Sequence, residues 1–400
     1  MAETTLPAIE FRNLDIVFGE RRAEALRLVD QGKTRDEILQ ATNAVLGAAG
    51  VSFTVDRGEI CVLMGLSGSG KSTILRAVNR LNDVARGEVL VRHRERAIDV
   101  AACDETTLRD IRTHTVSMVF QQFALLPWRT VRQNAGLGLE LQGLPVAERN
   151  RIVDEKLAMV GLTKWADKYA HELSGGMQQR VGLARAFATN ADILLMDEPF
   201  SALDPLIRTK LQDELLELQK SIRKTILFVS HDLDEALKLG NRIAIMQDGH
   251  IVQWGRPDDI LLRPATPYVA EFVRHMNPLN VLRGSAVMRP LHSLKREGDM
   301  LLLDDAGGVR LEVDSADRPV CVRIEGHGGT LGHADGEEGR VPHACDVIVA
   351  PVDLKLRAAI ALKRQTNHPI LLVDDLGRLA GLCDNEEIYR GLLQRAEPRA

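Results

Sequence analysis

The chain has 400 residues, more than one hydrophobic core usually holds, and its 51 basic and 56 acidic residues leave a net charge of -5. About two domains are expected, and a protein dominated by a basic nucleic-acid-binding surface is excluded. Five dispersed cysteines without a C-x-x-C pair argue against a disulfide framework or zinc site, and no apolar run approaches the ~18 residues of a membrane span. Met1 to Thr5 lacks the charged-then-apolar form of a signal peptide, so the expected compartment is the cytosol, with any membrane role exercised through a partner.

The first readable element, Ile9 to Gly19, alternates as a strand and ends on Phe18 and a glycine. Residues 20–47 then change to helical character. Ala25, Leu26, Leu28 and Val29 form an apolar cluster, and Thr34-Arg35-Asp36-Glu37 is a capping box that starts a second helix through Ile38 and Leu39. Two small helices inserted between strands are therefore predicted. Val51 to Val55 alternates again, and Asp56-Arg57-Gly58 turns the chain into the apolar run Glu59 to Met64.

That run leads into Gly65-Leu66-Ser67-Gly68-Ser69-Gly70-Lys71-Ser72, which fits the phosphate-loop pattern G-x-x-x-x-G-K-[ST] without a mismatch. Thr73 to Val78 continues with helical spacing. A strand, a glycine loop and a helix start are what phosphate binding needs: the glycines reach positive φ, backbone N–H groups close around phosphate oxygens, and the helix terminus adds partial positive charge. Lys71 would reach the β- and γ-phosphates of ATP, and the Ser72 hydroxyl would ligate Mg²⁺.

Gly87 to Val91 reads as a further strand, and Val116 to Phe120 as one that ends at Gln121-Gln122. A glutamine there has the side-chain oxygen to reach Mg²⁺ or an attacking water, although alone it is an ordinary loop residue. Phe123-Ala124-Leu125-Leu126-Pro127-Trp128 is an apolar loop that either packs on the body or docks another protein.

A second anion site is suggested by Leu173-Ser174-Gly175-Gly176-Met177-Gln178, where Ser174 sits as an N-cap with two glycines behind it. Ile193 to Met196 then delivers Asp197 and Glu198 at a strand end, the edge where open α/β sheets place ligands. Asp197 is expected to hold Mg²⁺ and Glu198 to orient or deprotonate water. Ser201 to Pro205 opens a helix through Leu211, Leu215 and Leu218. Thr225 to Val229 returns as a strand ending at His231, and Asp248-Gly249 signals a two-residue hairpin.

In this order, from about residue 8 to residue 275, the motifs resemble the ATP-binding subunits of ABC transporters. The resemblance implies an α/β P-loop cassette with a RecA-like core, an antiparallel β subdomain and a helical subdomain. ATP-binding positions would be Phe18, as the adenine-stacking aromatic, and Gly65, Leu66, Ser67, Gly68, Ser69, Gly70, Lys71, Ser72 and Thr73. Gln121 looks like the Q-loop glutamine and His231 like the switch histidine; both join Glu198 as catalytic positions, with Ser72, Gln121 and Asp197 on Mg²⁺. Ser174, Gly175, Gly176 and Gln178 look like the signature that contacts the ATP of the opposite subunit, and Asp204 like part of the D-loop. The insert at 20–47 and the flanks of the phosphate loop resemble importers of glycine betaine, choline and proline betaine.

Such a subunit would work as a homodimer on the cytoplasmic face of the inner membrane, peripheral to integral permease subunits and indirectly served by a periplasmic or lipid-anchored substrate-binding protein. A soluble ABC ATPase acting on nucleic acid or ribosomes is the alternative. It would carry a coiled-coil insertion or two cassettes, and this chain has one cassette and no sustained heptads. The ATPase domain is expected over residues 1–280 and a regulatory module over 281–400. From 345 onward that module resembles a CBS motif: Val347 to Val352, a helix across Leu354 to Leu362, Pro369 to Leu382, and a closing helix from Glu386. Such motifs pair, so 281–343 is expected to hold a degenerate first copy, with Gly326 to Gly339 read as a loop.

Overall fold

Gly255 closes a strand and Pro257 opens a helix, and between them the computed structural model divides into two compact units, Met1–Arg256 and Pro257–Ala400. The residues described are 6–274, 279, 281–298, 300–304, 307–334, 341 and 344–393. The boundary expected from the motifs lies later, at 280. Pro278 and Asn280, around which that boundary was drawn, and the side chain of Leu218 lie outside the described residues.

In the first unit, β1 (Ile9–Phe18) pairs antiparallel with β2 (Val45–Val55), and α1 (Arg22–Asp30) and α2 (Arg35–Thr42) fill the chain between them. The capping box is formed: Glu37 N–H donates to Thr34 Oγ1, and the Glu37 carboxylate accepts from Thr34 N–H. Ala25 and Ile38 turn inward onto Val17, Ala44 and Leu46, a small core of their own that justifies the inserted pair of helices.

Strand β3 (Ile60–Gly65) is buried at every position and runs into α3 (Lys71–Ala77), followed by β4 (Arg86–His93), β5 (Arg96–Asp99), α4 (Glu105–Asp110) and β6 (Val116–Val119). A helical stretch comes next, with α5 (Val131–Ala135), α6 (Leu137–Leu141), α7 (Val146–Met159) and α8 (Gly175–Ala188). The chain then alternates through β7 (Ile193–Asp197), α9 (Pro205–Ile222), β8 (Thr225–Val229), α10 (Leu233–Leu239), β9 (Arg242–Gln247) and β10 (His250–Gly255).

These strands make two sheets. One is antiparallel, in the order β2-β1-β4-β5, and the other runs β10-β9-β3-β8-β7-β6, parallel except for the β9–β10 hairpin at its edge. The uniformly buried β3, β7 and β8 are interior strands covered on both faces, as parallel sheets require. One continuous core joins Phe11, Phe53 and Val89 of the antiparallel sheet to Leu63, Leu195, Leu227 and Met246 of the parallel one. The Phe11 and Phe53 rings stack at 4.5 Å between centroids across the β1–β2 register.

The second unit opens with α11 (Pro257–Leu262), α12 (Pro267–Val273), α13 (Gly284–Val287) and β11 (Arg289–Pro290). An antiparallel meander follows, β12 (Arg296–Glu297), β13 (Met300–Leu302), β14 (Val309–Val313), β15 (Pro319–Ile324) and β16 (His327–Gly329). Then come β17 (Leu331–His333), β18 (Val347–Pro351), α14 (Leu356–Lys363), β19 (Ile370–Val373), β20 (Leu379–Cys383) and α15 (Asn385–Leu393). From β18 to α15 the chain runs strand–helix–strand–strand–helix, in the order read for 345–400. The described residues of 296–329, within the stretch expected to hold a degenerate first copy, form hairpins. The glycine-rich stretch read as a loop also contributes β16 and β17, because glycines at an edge strand leave the ladder bonds intact. Residues 335–340 of that stretch lie outside the described residues.

Gly65 ends β3 at φ +143°, and a Cβ placed there would sit 2.2 Å from the Met246 carbonyl oxygen on β9. Gly65→Ala is therefore expected to lower unfolding stability by about 2–4 kcal/mol through combined strain and overlap. A urea midpoint indistinguishable from the parent chain would refute this.

Candidate active site

The register of the parallel sheet decides which residues meet. Val119 lies beside Met196, Asp197 beside Val229, Val229 beside Leu63, and Gly65 beside Met246, so the C-terminal ends of β6, β7, β8 and β3 share one edge. The loop Gly65 to Ser72, Gln121, Glu198 and His231 all leave from that edge, as ligand sites of open α/β sheets do.

Gly70 caps α3 at φ +105°, where a Cβ would overlap the Gly47 carbonyl of β2. Lys71 is buried, and its Nζ donates to the carbonyls of Gly65 at 2.8 Å and Leu66 at 2.9 Å. Burial holds its ammonium below the ordinary lysine range, with Glu198 and Asp197 pulling it back. The hairpin turn at Asp248-Gly249 supports the loop, since Gly249 N–H donates to Ser69 O at 3.0 Å. Ser69 Oγ is buried without a hydrogen-bond partner among the described residues. A buried hydroxyl left orphaned inside a glycine loop, beside a buried ammonium and a helix start, fits a phosphate ligand.

Asp197 is completely buried. Its Oδ1 accepts from Ser72 Oγ at 2.7 Å and its Oδ2 from Arg76 at 2.8 Å. Paired hydroxyl and carboxylate oxygens are the hard donors that Mg²⁺ prefers, so the residues present fit that ion. Glu198 follows at φ +48°, a left-handed conformation that costs roughly 1–2 kcal/mol in a residue with a side chain. Backbone bonds hold it there: its N–H donates to Val229 O at 3.1 Å, and its carbonyl accepts from Gln179 Nε2 at 3.1 Å, from Ser201 Oγ at 3.0 Å and from Ser201 N–H at 3.4 Å. The turn aims the carboxylate off the strand. Glu198 Oε2 accepts from Gln121 Nε2 at 3.2 Å and lies 3.4 Å from His231 Nδ1.

The chain thus brings together the loop, Gln121, Asp197, Glu198 and His231. It places the signature residues and Asp204 in contacts of their own. Ser174 caps α8 by accepting from Met177 N–H at 3.4 Å, and Gln178 Nε2 donates to Ala170 O and Leu173 O. Asp204 caps α9 by accepting from Ile207 N–H at 3.0 Å. Gly175 is open, with nothing within 4 Å of a Cβ position. Phe18 is half-buried against the central core, and both it and Thr73 crowd Gly47, where a Cβ would lie 2.8 Å from the Phe18 ring and 2.9 Å from Thr73.

Three residues absent from the motif reading also hold the site. Arg76 lies four residues after Ser72, one helical turn on, and that spacing was a usable signal. Gln179 reaches Glu198 but adjoins another glutamine, so sequence alone does not separate the two. Arg185 of α8 donates to Ala124 O at 2.6 Å and Phe123 O at 2.8 Å, with the Phe120 ring 5.9 Å away, and so ties down the loop after Gln121.

Fold and site together define a P-loop nucleotide-binding cassette with a carboxylate pair at the strand edge. Residues 48–201 match the family model described as ABC transporter. The glycine betaine/proline betaine transport system ATP-binding protein ProV of Salmonella typhimurium is 48% identical over 399 residues, covering 96% of this chain and 97% of that protein. The glycine betaine/carnitine transport ATP-binding protein GbuA of Listeria monocytogenes is 46% identical over 297 residues, 74% of each chain. The dimeric structure of MJ0796, a bacterial ABC transporter cassette, superposes with a TM-score of 0.53 at 31% identity, covering 62% of this chain and 98% of that one. The chain belongs to the family of ABC transporter ATP-binding subunits. Among the described residues no helix is long and apolar enough to cross a membrane.

Phosphate is attracted to the charged form of Lys71, and burial makes that charge easier to lose. Nucleotide affinity is therefore expected to be full below the depressed lysine pKa and to weaken as pH rises through it, while Lys71→Arg flattens the profile. Titrations of ATP binding from pH 7 to 10 check this; identical profiles for both chains would contradict it.

Proposed function

We propose that this chain is the ATP-hydrolysing subunit of an importer of quaternary ammonium osmolytes such as glycine betaine or choline. The observation that carries the ATPase half of this reading is the convergence of Lys71, Ser72, Asp197 and Glu198 on one sheet edge, with Gln121 and His231 on the same Glu198 oxygen. The choice of osmolyte is supported by the names of relatives that share nearly half their residues with this chain.

In this reading Lys71 and the loop N–H groups bind the β- and γ-phosphates, and Phe18 stacks on adenine. Ser72, Asp197 and Gln121 hold Mg²⁺, which when bound neutralises phosphate charge. Glu198 orients or deprotonates the attacking water, and His231 positions the γ-phosphate. The start of α8 at Ser174-Gly175-Gly176, open at Gly175, meets the nucleotide of a second copy, so that two chains close over two ATP molecules head to tail. Hydrolysis reopens them and drives permease subunits at the cytoplasmic face of the inner membrane, with the apolar loop Leu125 to Trp128 receiving a permease helix. A solute-binding protein on the far side delivers the osmolyte.

Glu198→Gln should keep ATP affinity within about twofold and reduce turnover by roughly 10²- to 10³-fold, because it removes a base and leaves the phosphate contacts. Lys71→Ala should weaken ATP affinity itself by at least about tenfold. Equal loss of affinity in both variants would sink the assignment of roles.

The second unit, with its single strand–helix–strand–strand–helix half, is assigned a regulatory role on the cassette. Removal of residues 281–400 should leave ATP hydrolysis intact and flatten the dependence of transport on osmotic strength or on an adenine nucleotide in reconstituted vesicles. An unchanged activation curve would leave that unit a structural role.

A further inference from the structure

The inserted helices contribute to no part of the mechanism above, yet one of their side chains touches the phosphate loop. Arg35 is the first residue of α2, held in place by the reciprocal Thr34–Glu37 cap, and its guanidinium donates to the carbonyl of Gly68 at the loop apex. Of the two acids that follow it, exposed Asp36 makes no ion pair with it, and Glu37 is bound to Thr34 and, at 2.9 Å, to Lys33. Among the described residues Arg35 makes no ion pair, so its charge stands unneutralised beside the loop. Gly68 itself is at φ +80° with nothing within 4 Å of a Cβ position, so the apex is open on its outer side. Strand β2, which continues from the insert, runs along the same loop, with the Gly47 carbonyl against Gly70 and with Phe18 and Thr73 packed around Gly47. A guanidinium offers five donors in a rigid fork, and one carbonyl leaves most of them free.

We propose that the insert forms one wall of the nucleotide site and that Arg35 is a nucleotide-contacting residue, donating to the phosphate chain of bound ATP from the side opposite the sheet edge. This rests on the ATP-binding reading of the loop. It gives the insert a function: it adds a second cation to a phosphate site otherwise served by the buried Lys71.

The test is calorimetric titration of the full-length chain with ATP in EDTA, so that hydrolysis does not intrude, at two salt concentrations. Arg35 is partly exposed, and its variants should melt with the parent chain. Arg35→Gln, which keeps a donor for Gly68 and loses the charge, and Arg35→Ala should each raise the ATP Kd roughly tenfold, with Arg35→Lys between them and the parent. The parent Kd should also rise more steeply with salt than that of Arg35→Gln. Parent-like affinity and salt slope in Arg35→Gln overturn the inference, because the Gly68 hydrogen bond alone would then account for the residue. Lys71→Ala serves as the reference: if it binds ATP as tightly as the parent, or the parent binds none, the reading of the loop fails and the inference falls with it.

Discussion

A carboxylate with no access to water stays in a fold only when donors surround it, and Asp197 has two, the Ser72 hydroxyl and the Arg76 guanidinium. Both donors lie on α3, so this one group fastens the helix behind the phosphate loop to the end of β7. The loop is thereby held from both sides, by β3 entering it and by α3 leaving it. Ser72 and Asp197 face each other at 2.7 Å, and Arg76 supplies positive charge to the carboxylate.

Glu198 depends on the same strand end but is held by different forces. Its backbone is turned left-handed and pinned by Val229, Gln179 and Ser201, which frees its carboxylate to meet Gln121 and His231. Gln179 belongs to α8, the helix that Ser174 caps. So does Arg185, which grips the backbone at Phe123 and Ala124. One helix therefore touches the backbone of Glu198 at one position and the loop after Gln121 at another. A displacement of α8 has a direct mechanical route to both.

The second unit has one apolar core shared by its hairpins and its mixed sheet. Leu301, Val309, Leu311 and Val322 of the meander pack with Val347, Val349, Leu371 and Leu382 of the neighbouring sheet in one apolar cluster. Its residues from 296–329 are supplied by hairpins, within the stretch where a degenerate strand–helix copy was expected. Burial of apolar area does not discriminate between the two, since it is non-directional.

The sequence by itself determined the phosphate loop, the carboxylate pair, the capping box at Thr34–Glu37, the hairpin at Asp248-Gly249 and the alternation of strands and helices that makes an α/β sheet. Each is a local matter, decided by backbone freedom at glycine, by donors and acceptors a few residues apart, or by apolar periodicity. Gln121, Glu198 and His231 were legible as strand-end residues on the same grounds. Only the tertiary structure decided that they share one oxygen, because that follows from the register of β6, β7 and β8, which is set by packing across strands far apart in the chain. The same holds for Gln179 rather than Gln178 reaching Glu198, for Arg76 finding Asp197, and for Arg35 crossing from an inserted helix to Gly68. A side chain's chemistry is written in the sequence, but its partner is chosen by the packing of elements that the sequence does not place side by side.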